Sequence, residues 1–510
     1  MYQFELPAPG PAAVPPFRSA DEAAAWLARQ PLAQPAQMQA VLQQAIGAVD
    51  ASDIPPAARR GVLDRLRSAV VLAQTALEPR FSRKPLPLPT ADAEHFLAAR
   101  RLWRLLAVAY LRIAPELPAA DAALALHRAA VALRAEQYAH FLAAYEVPAE
   151  LLLLLHGIAS AAEALGVQYT PLGDPDYKHI SESHIAGHVA WTFMLQFADP
   201  YRLSMAQLTV ANRALSRWRE LAAFRMQPDD SPRARDLPLM DLLGRAGLAK
   251  GGPRWLDVRP VVRKLRHRIE ALEGGQRPEE LKLGRELSAT ACARLLGQLD
   301  EALQPGPAAA GGESGNLSLV FGAENIYALL AGERLNPAAE DTRPRTVDHQ
   351  RLAVFGFDNR VTPVAAAKPA QVSGETWQAG DGFVWRAPEA GVRLLSPCLV
   401  AAAPGAGQTP RLGVLLGLRV GRDGRLRARL QWYGGPVQAA SVQVGGAGGP
   451  ARVPVFVVGD DGALSLVLPA AAPVRPDGRL ALEGSGRAPV GLGQVLERGS
   501  DFVRYAAAPR

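Results

Sequence analysis

Apolar side chains recur at helical spacing from Ser19 to about Leu303 and at every second position through much of the rest of the chain. In FLAARRLWRLLAVAYLRIA, Leu102, Leu105, Leu106, Ala109, Tyr110 and Ile113 share one helical face, and Arg100, Arg101, Arg104 and Arg112 lie largely off it. That pattern predicts a helix with one side in a core. Tyr138, Phe141, Leu142 and Tyr145 form another stripe of core type, after which Pro148 is placed to open a further helix. The spacing persists in Leu208, Ala211, Leu215, Trp218 and Leu221, in Val262, Leu265, Ile269 and Leu272, and in Leu295, Leu299 and Leu303. These stretches predict a helical bundle or stacked helix pairs, with no fixed-period repeat.

Beyond residue 316 the period changes to two. Leu412, Val414, Leu416, Leu418 and Val420 alternate with other residues, Asp423-Gly424 supplies a turn, and Leu426, Ala428, Leu430 and Trp432 then alternate with Arg425, Arg427, Arg429 and Gln431. This is the pattern of a β-hairpin with one apolar face. Further Asp-Gly turns at 461–462 and 477–478 separate short apolar runs and predict small antiparallel barrels. The segments PGPAAAGGESGN (305–316) and VGGAGGP (444–450) have linker composition.

The expected fold class is therefore α+β multidomain, with an all-α N-terminal half and an antiparallel β-barrel C-terminal half. The divisions expected are a flexible segment at 1–18, a helical domain at 19–304, a linker at 305–316, a barrel at 317–445 and a small β domain at 446–510. The length of 510 residues suits two or three domains, and 49% hydrophobic with 21% charged residues argues against wholesale disorder. Two distant cysteines, Cys292 and Cys398, offer neither a disulfide framework nor a cysteine-rich zinc site, which suits a cytoplasmic setting. The first residues lack the basic and apolar regions of a secretory signal. The run ELLLLLHGIASAAEALGV contains Glu150, His156 and Glu163 and is expected to be a buried helix, so no membrane span is predicted.

Catalytic constellations are missing: the sequence has no GxSxG elbow, no GxxxxGK[ST] phosphate loop, no kinase catalytic loop and no zinc-deaminase signature. A non-enzymatic protein without a cofactor is expected. His184 and His188 stand four apart, with His179 nearby, which raises either a metal site or ordinary packed histidines. The flanking residues supply no HExxH, so packing is the favoured reading, with Ser181 as the helix N-cap. The row Arg425, Arg427, Arg429 is either a basic surface for phosphate or nucleic acid or a solvated face. With no interleaved aromatic residues evident around it, the solvated face is favoured and no DNA partner is expected.

Several segments resemble a family of proteobacterial cytosolic proteins with a long helical N-terminal region and a divergent PilZ-like barrel, often called cyclic-di-GMP-binding proteins. They are RKPLPL (83–88), FADPYRLS (197–204), the hairpin LRVGRDGRLRARLQW and the end GLGQVLERGSDFVRYAA. The resemblance implies cyclic-di-GMP as ligand and a protein partner for the helical half, in control of motility, type IV pili or biofilm. A PilZ site uses an RxxxR segment to grip phosphate and a D/NxSxxG turn for polar contact. In this chain the matching arginines are Arg343, Arg345 and Arg351, without RxxxR spacing. RAPEAG places Arg386 and Pro388 at the acid and serine positions of the second motif and keeps Gly391, with Arg393 close behind. Each charge-assisted hydrogen bond forgone costs roughly 1.5–3 kcal/mol. A scaffold that has lost the nucleotide and acts by protein contact alone is therefore the alternative.

Overall fold

The computed structural model describes residues 4–11, 14–176, 182–231, 234–244, 248, 251–304, 313–335, 372–403, 409–446, 449–459, 464–474 and 478–509. The chain divides into two compact units, residues 1–308 with 419–424, and residues 309–418 with 425–510.

The first unit is helical: α1 (Ala20–Leu27), α2 (Pro35–Asp50), α3 (Pro56–Leu77), α4 (Thr90–Ile113), α5 (Ala119–Ala143) and α6 (Ala149–Ala164) are followed by α7 (Ile185–Phe197), α8 (Met205–Trp218), α9 (Met240–Leu243), α10 (Arg259–Glu273) and α11 (Ala289–Ala302). Two small sheets interrupt them, one of β1 (Leu172–Gly173) and β2 (Glu182–Ser183), the other of β3 (Ala223–Arg225), β4 (Asp236–Pro238) and β5 (Trp255–Asp257). On α4, Leu102, Leu106, Ala109, Tyr110 and Ile113 are buried, as the spacing predicts, and Leu105 of the same stripe is half-buried. Helix α5 differs from an amphipathic surface helix: from Ala122 to Leu133 every residue but Leu124 is buried. Its many small alanines let neighbouring helices approach on more than one side. No described helix is long and apolar enough to cross a membrane.

The second unit contains a closed six-stranded antiparallel barrel of β6 (Gly315–Phe321), β7 (Glu375–Gly380), β8 (Phe383–Arg386), β9 (Cys398–Ala402), β10 (Arg411–Val420) and β11 (Leu426–Trp432), in the order β10-β11-β8-β7-β6-β9. Closure removes the exposed edges that make open sheets prone to pairing with other chains. Helix α12 (Ala323–Ala331) follows the first of these strands. A second sheet orders β12 (Val437–Gly446), β13 (Gly449–Val458), β14 (Ser465–Pro469), β17 (Phe502–Pro509), β16 (Val490–Arg498) and β15 (Arg479–Leu480). Ser441 on its first strand exchanges two backbone hydrogen bonds with Glu483, at 3.0 and 2.8 Å, which nearly closes this sheet into another barrel.

The second barrel has its own core, including Ala440, Val442, Val455, Val457, Leu466, Leu468 and Val503. The alternate residues Phe456, Val458, Val467 and Phe502 join Val320, Leu399, Leu412 and Val414 in a second cluster. Strand residues of both parities are therefore buried, one set inside the small barrel and the other against its neighbour.

Two linker readings need correction. Within VGGAGGP, Val444 to Gly446 pair with Gly449 to Ala451, and the ladder runs on to Val437 and Val458. These glycines belong to two long paired strands rather than to a break between domains. Gly315 and Asn316 belong to the first barrel strand and pair with Ala379 and Gln378. The turns at 461–462 and at Asp477 lie outside the described residues.

Candidate functional site

Among the residues proposed from sequence, the first barrel brings Arg386 and Gly391 together. Strand β8 ends at Arg386, whose side chain alternation turns inward, and the guanidinium is buried. Its Nε lies 3.0 Å from Glu375 Oε2, Nη1 donates to the carbonyls of Ala387 and Pro388 at 3.0 Å each, and Nη2 donates to Val392 at 2.6 Å. The guanidinium carbon also lies 5.0 Å from the centroid of the Trp377 ring. The other Glu375 oxygen accepts the Val392 N–H at 2.7 Å. A Cβ on Gly391 would stand 2.3 Å from the Glu375 carboxyl carbon.

The 387–392 loop is thus held from within by one arginine and one carboxylate, and Gly391 is required by the close approach of Glu375. An arginine in the acid position of the motif makes sense locally, since three carbonyls need a donor. Arg393 lies just beyond, exposed. Arg343, Arg345 and Arg351 lie outside the described residues.

The helical unit holds a denser polar centre, with no sequence signal beyond the residue types themselves. Arg67 is buried and reaches Asp174 and Asp176, while Arg128 Nη1 lies 2.9 Å from Asp174 and Nη2 donates to the Gly173 carbonyl at 3.0 Å. Burial pushes the Asp174 carboxyl up, but the hydrogen bond and charge of Arg67, with Arg128 beside it, leave it below the usual range. Arg104 makes a bidentate pair with buried Glu136 at 2.7 and 3.0 Å. Arg134 stacks on Trp191, its guanidinium carbon 3.5 Å from the ring centroid. His127 and His188 meet edge to face at 4.7 Å, both buried. Burial holds His127 and His140 neutral, each at about 3, and drives His188 well below its usual value.

The histidine reading is also corrected in detail. His184 precedes α7 in extended conformation and is itself the N-cap, accepting the Gly187 N–H at Nδ1 over 2.9 Å. Its Nε2 pairs with Glu220, so it does not share a helical face with His188. A Cβ on Gly187 would meet the Glu220 carboxylate at 2.6 Å, which fixes a glycine one turn after the cap. His179 and Ser181 lie outside the described residues.

The arginine stripe on β11 does have aromatic company. Phe383 and Trp385 come from β8, which pairs with β11 so that Arg427 stands opposite Trp385. Some forty residues of chain separate these partners, and their register is a tertiary fact.

Against this geometry, residues 21–229 match the family model described as the cyclic-di-GMP receptor FimW, N-terminal domain. Over this stretch the chain is similar to that domain family. The matched stretch takes in α1 to α8 and the polar centre around Arg67, Arg128, Arg134 and Trp191. Helices α10 and α11 and both barrels lie outside the match. No curated protein and no solved structure matches the chain.

Proposed function

We propose that the protein is a non-enzymatic cyclic-di-GMP effector that passes the ligand-bound state to a protein partner through its helical half, in control of motility, type IV pili or biofilm. The match of residues 21–229 to the receptor's N-terminal domain carries this reading, and the two small antiparallel barrels are in keeping with it. The arginines assigned to phosphate are Arg343, Arg345 and Arg351 ahead of β7 and Arg393 after the 387–392 loop. Planar guanidinium forks suit the two phosphates and stack on guanine. Arg386 supports the loop from inside, and Gly391 lets Glu375 hold it.

Isothermal titration of the full chain with cyclic-di-GMP is the test, beside a variant with Arg343, Arg345 and Arg351 changed to alanine. Saturable heat in the parent that falls at least tenfold in affinity in the variant supports the reading. Equal binding by both removes those arginines from the site.

A second reading, a scaffold that acts by protein contact without nucleotide, has one observation in its favour: Arg386 is fully engaged within the barrel. Absence of heat at high ligand concentration selects it.

A further inference from the structure

Strands β10 and β11 lie largely in the second unit, but Arg419–Gly424, the end of β10 and the turn after it, belong to the first. The ladder of β10 on β9 ends at Leu415, and two residues later Gly417 takes a positive φ of 63°, a bend of the kind that re-aims a strand. Within the helical unit the segment after α5 receives the tip. Val420 stands beside Tyr145 in a parallel bridge: its N–H donates to the Ala144 carbonyl at 2.9 Å, and its carbonyl accepts the Glu146 N–H at 2.8 Å. The Arg422 N–H donates to Glu146 Oε2 at 3.3 Å, and Nη2 donates to the Val147 carbonyl at 3.2 Å. The Arg419 guanidinium carbon lies 5.0 Å from the centroid of the Tyr201 ring.

The receiving segment is shaped for this role. Ala144, the C-cap of α5, has a left-handed φ of 54°, so the helix stops and Tyr145 is released to bridge a strand. Buried Tyr201 holds the opposite edge, its hydroxyl donating to the Tyr145 carbonyl at 2.8 Å and accepting the Val147 N–H at 3.1 Å. Arg83 braces both sides of the seat, donating its N–H to the Leu142 carbonyl at 2.7 Å and Nη2 to the Pro200 carbonyl at 3.0 Å. The peptide groups from 144 to 147 are thus divided, Ala144 C=O and Glu146 N–H to the tip, Tyr145 C=O and Val147 N–H to Tyr201. Helix α5, whose end this is, carries His127, Arg128, Arg134 and Glu136 of the polar centre.

We infer that Arg419–Gly424 is a coupling element, the segment through which the helical unit registers the state of the first barrel. The bonds at Val420 depend on β10 and β11 holding the tip in shape, so opening of those strands takes away the partners of Ala144 and Glu146 and loosens the end of α5. A ligand that stabilises the barrel acts in the opposite sense by linkage. The identity of that ligand rests on the effector reading, whereas the coupling rests on geometry alone.

Hydrogen exchange of the full chain, read on peptides covering residues 141–147, tests the coupling as a double-mutant cycle. Gly391→Ala perturbs the barrel from the 387–392 loop and is expected to speed exchange at Glu146 by about tenfold, through a larger open population, with peptides of α1 and α2 unchanged. Val420→Pro deletes the N–H that Ala144 accepts. The pair Arg419→Ala with Arg422→Ala leaves the backbone alone and serves as the second variant, with unchanged melting as its control. In either tip variant Gly391→Ala is expected to quicken exchange in the barrel as before and to add less than about twofold at residues 141–147. No response at residues 141–147 in a barrel whose own exchange has quickened, or an undiminished response in the well-folded arginine pair, overturns the inference. Cyclic-di-GMP added to the parent separates the two claims. Failure of the nucleotide to bind removes the effector reading and leaves the coupling as the variants measure it, whereas binding that protects the barrel peptides but not residues 141–147 overturns the coupling.

Discussion

In the helical unit Arg67, Arg104 and Arg128 reach into the protein and end on Asp174, Asp176 and Glu136, whereas in the first barrel Arg427 and Arg429 lie along the outer face beside Phe383 and Trp385. The same residue type therefore has opposite consequences for stability. An inward guanidinium has given up its water and depends on its carboxylate, so removing either partner strands a charge. An outward one, half-buried beside an aromatic ring as Arg427 and Arg429 are, gives up less water and leaves less uncompensated charge when it is removed. Arg386 shows that the distinction follows strand parity rather than domain, since it sits on the same sheet as Arg427 and points the other way.

The largest effect is expected from Arg67→Ala. Loss of the buried clamp on Asp174 and Asp176 is expected to cost about 3–5 kcal/mol, read as a lower midpoint in urea unfolding. A cost below ~1 kcal/mol, the range of exposed pairs, would place this arginine with the surface set.

Acid provides the next test. His127 and His140 titrate at about 3 in the fold, against 6.5 for the unfolded side chain, so below pH 6.5 the unfolded chain binds more protons. Their contribution is present above pH 6.5 and is lost as pH falls toward 3. By pH 5 each is expected to remove about 2 kcal/mol, at ~1.4 kcal/mol per pH unit. Asp174, whose pKa is depressed, adds a further loss only as the pH drops below the usual carboxylate range. Melting measured from pH 7 to 5 should fall steeply, and His127→Phe should flatten the fall. A flat profile in the parent would show that these rings charge without opening the fold.

Smaller effects are expected in the barrel. Gly391→Ala forces a methyl group against the Glu375 carboxylate and is expected to cost about 1–3 kcal/mol, with Glu375→Gln in the same range through the weakened hold on Arg386. Thermal melting of both variants checks this. Arg427→Gln, at the other extreme, is expected to change stability by less than about 0.5 kcal/mol.

Much of the architecture is legible in the sequence because it is local. The period change from helix to strand, the stripe on α4 and the hairpin around Asp423-Gly424 all depend on neighbours within a few residues. Gly424 adopts a positive φ of 77° in that turn, as its position suggests. The site is less legible because its relations are distant in sequence. Nothing in RAPEAG announces that Arg386 turns inward to Glu375, on the preceding strand, or that Gly391 is a glycine because a carboxylate approaches it. The aromatic partners of the arginine stripe become visible only with the register of β8 on β11. Spacing alone puts His184 on a helical face, because its role as N-cap depends on an extended backbone and on Glu220, which the four-residue interval to His188 does not encode. The Arg67 clamp joins residues more than a hundred positions apart, and no periodicity reports that.

Recognition of cyclic-di-GMP is tested by equilibrium dialysis of the labelled nucleotide against the full chain with a large excess of unlabelled GTP. A cyclic-di-GMP effector is expected to show saturable retention that GTP does not displace and unlabelled cyclic-di-GMP does. Retention no greater than in a protein-free chamber, with the protein folded by its melting curve, would contradict it.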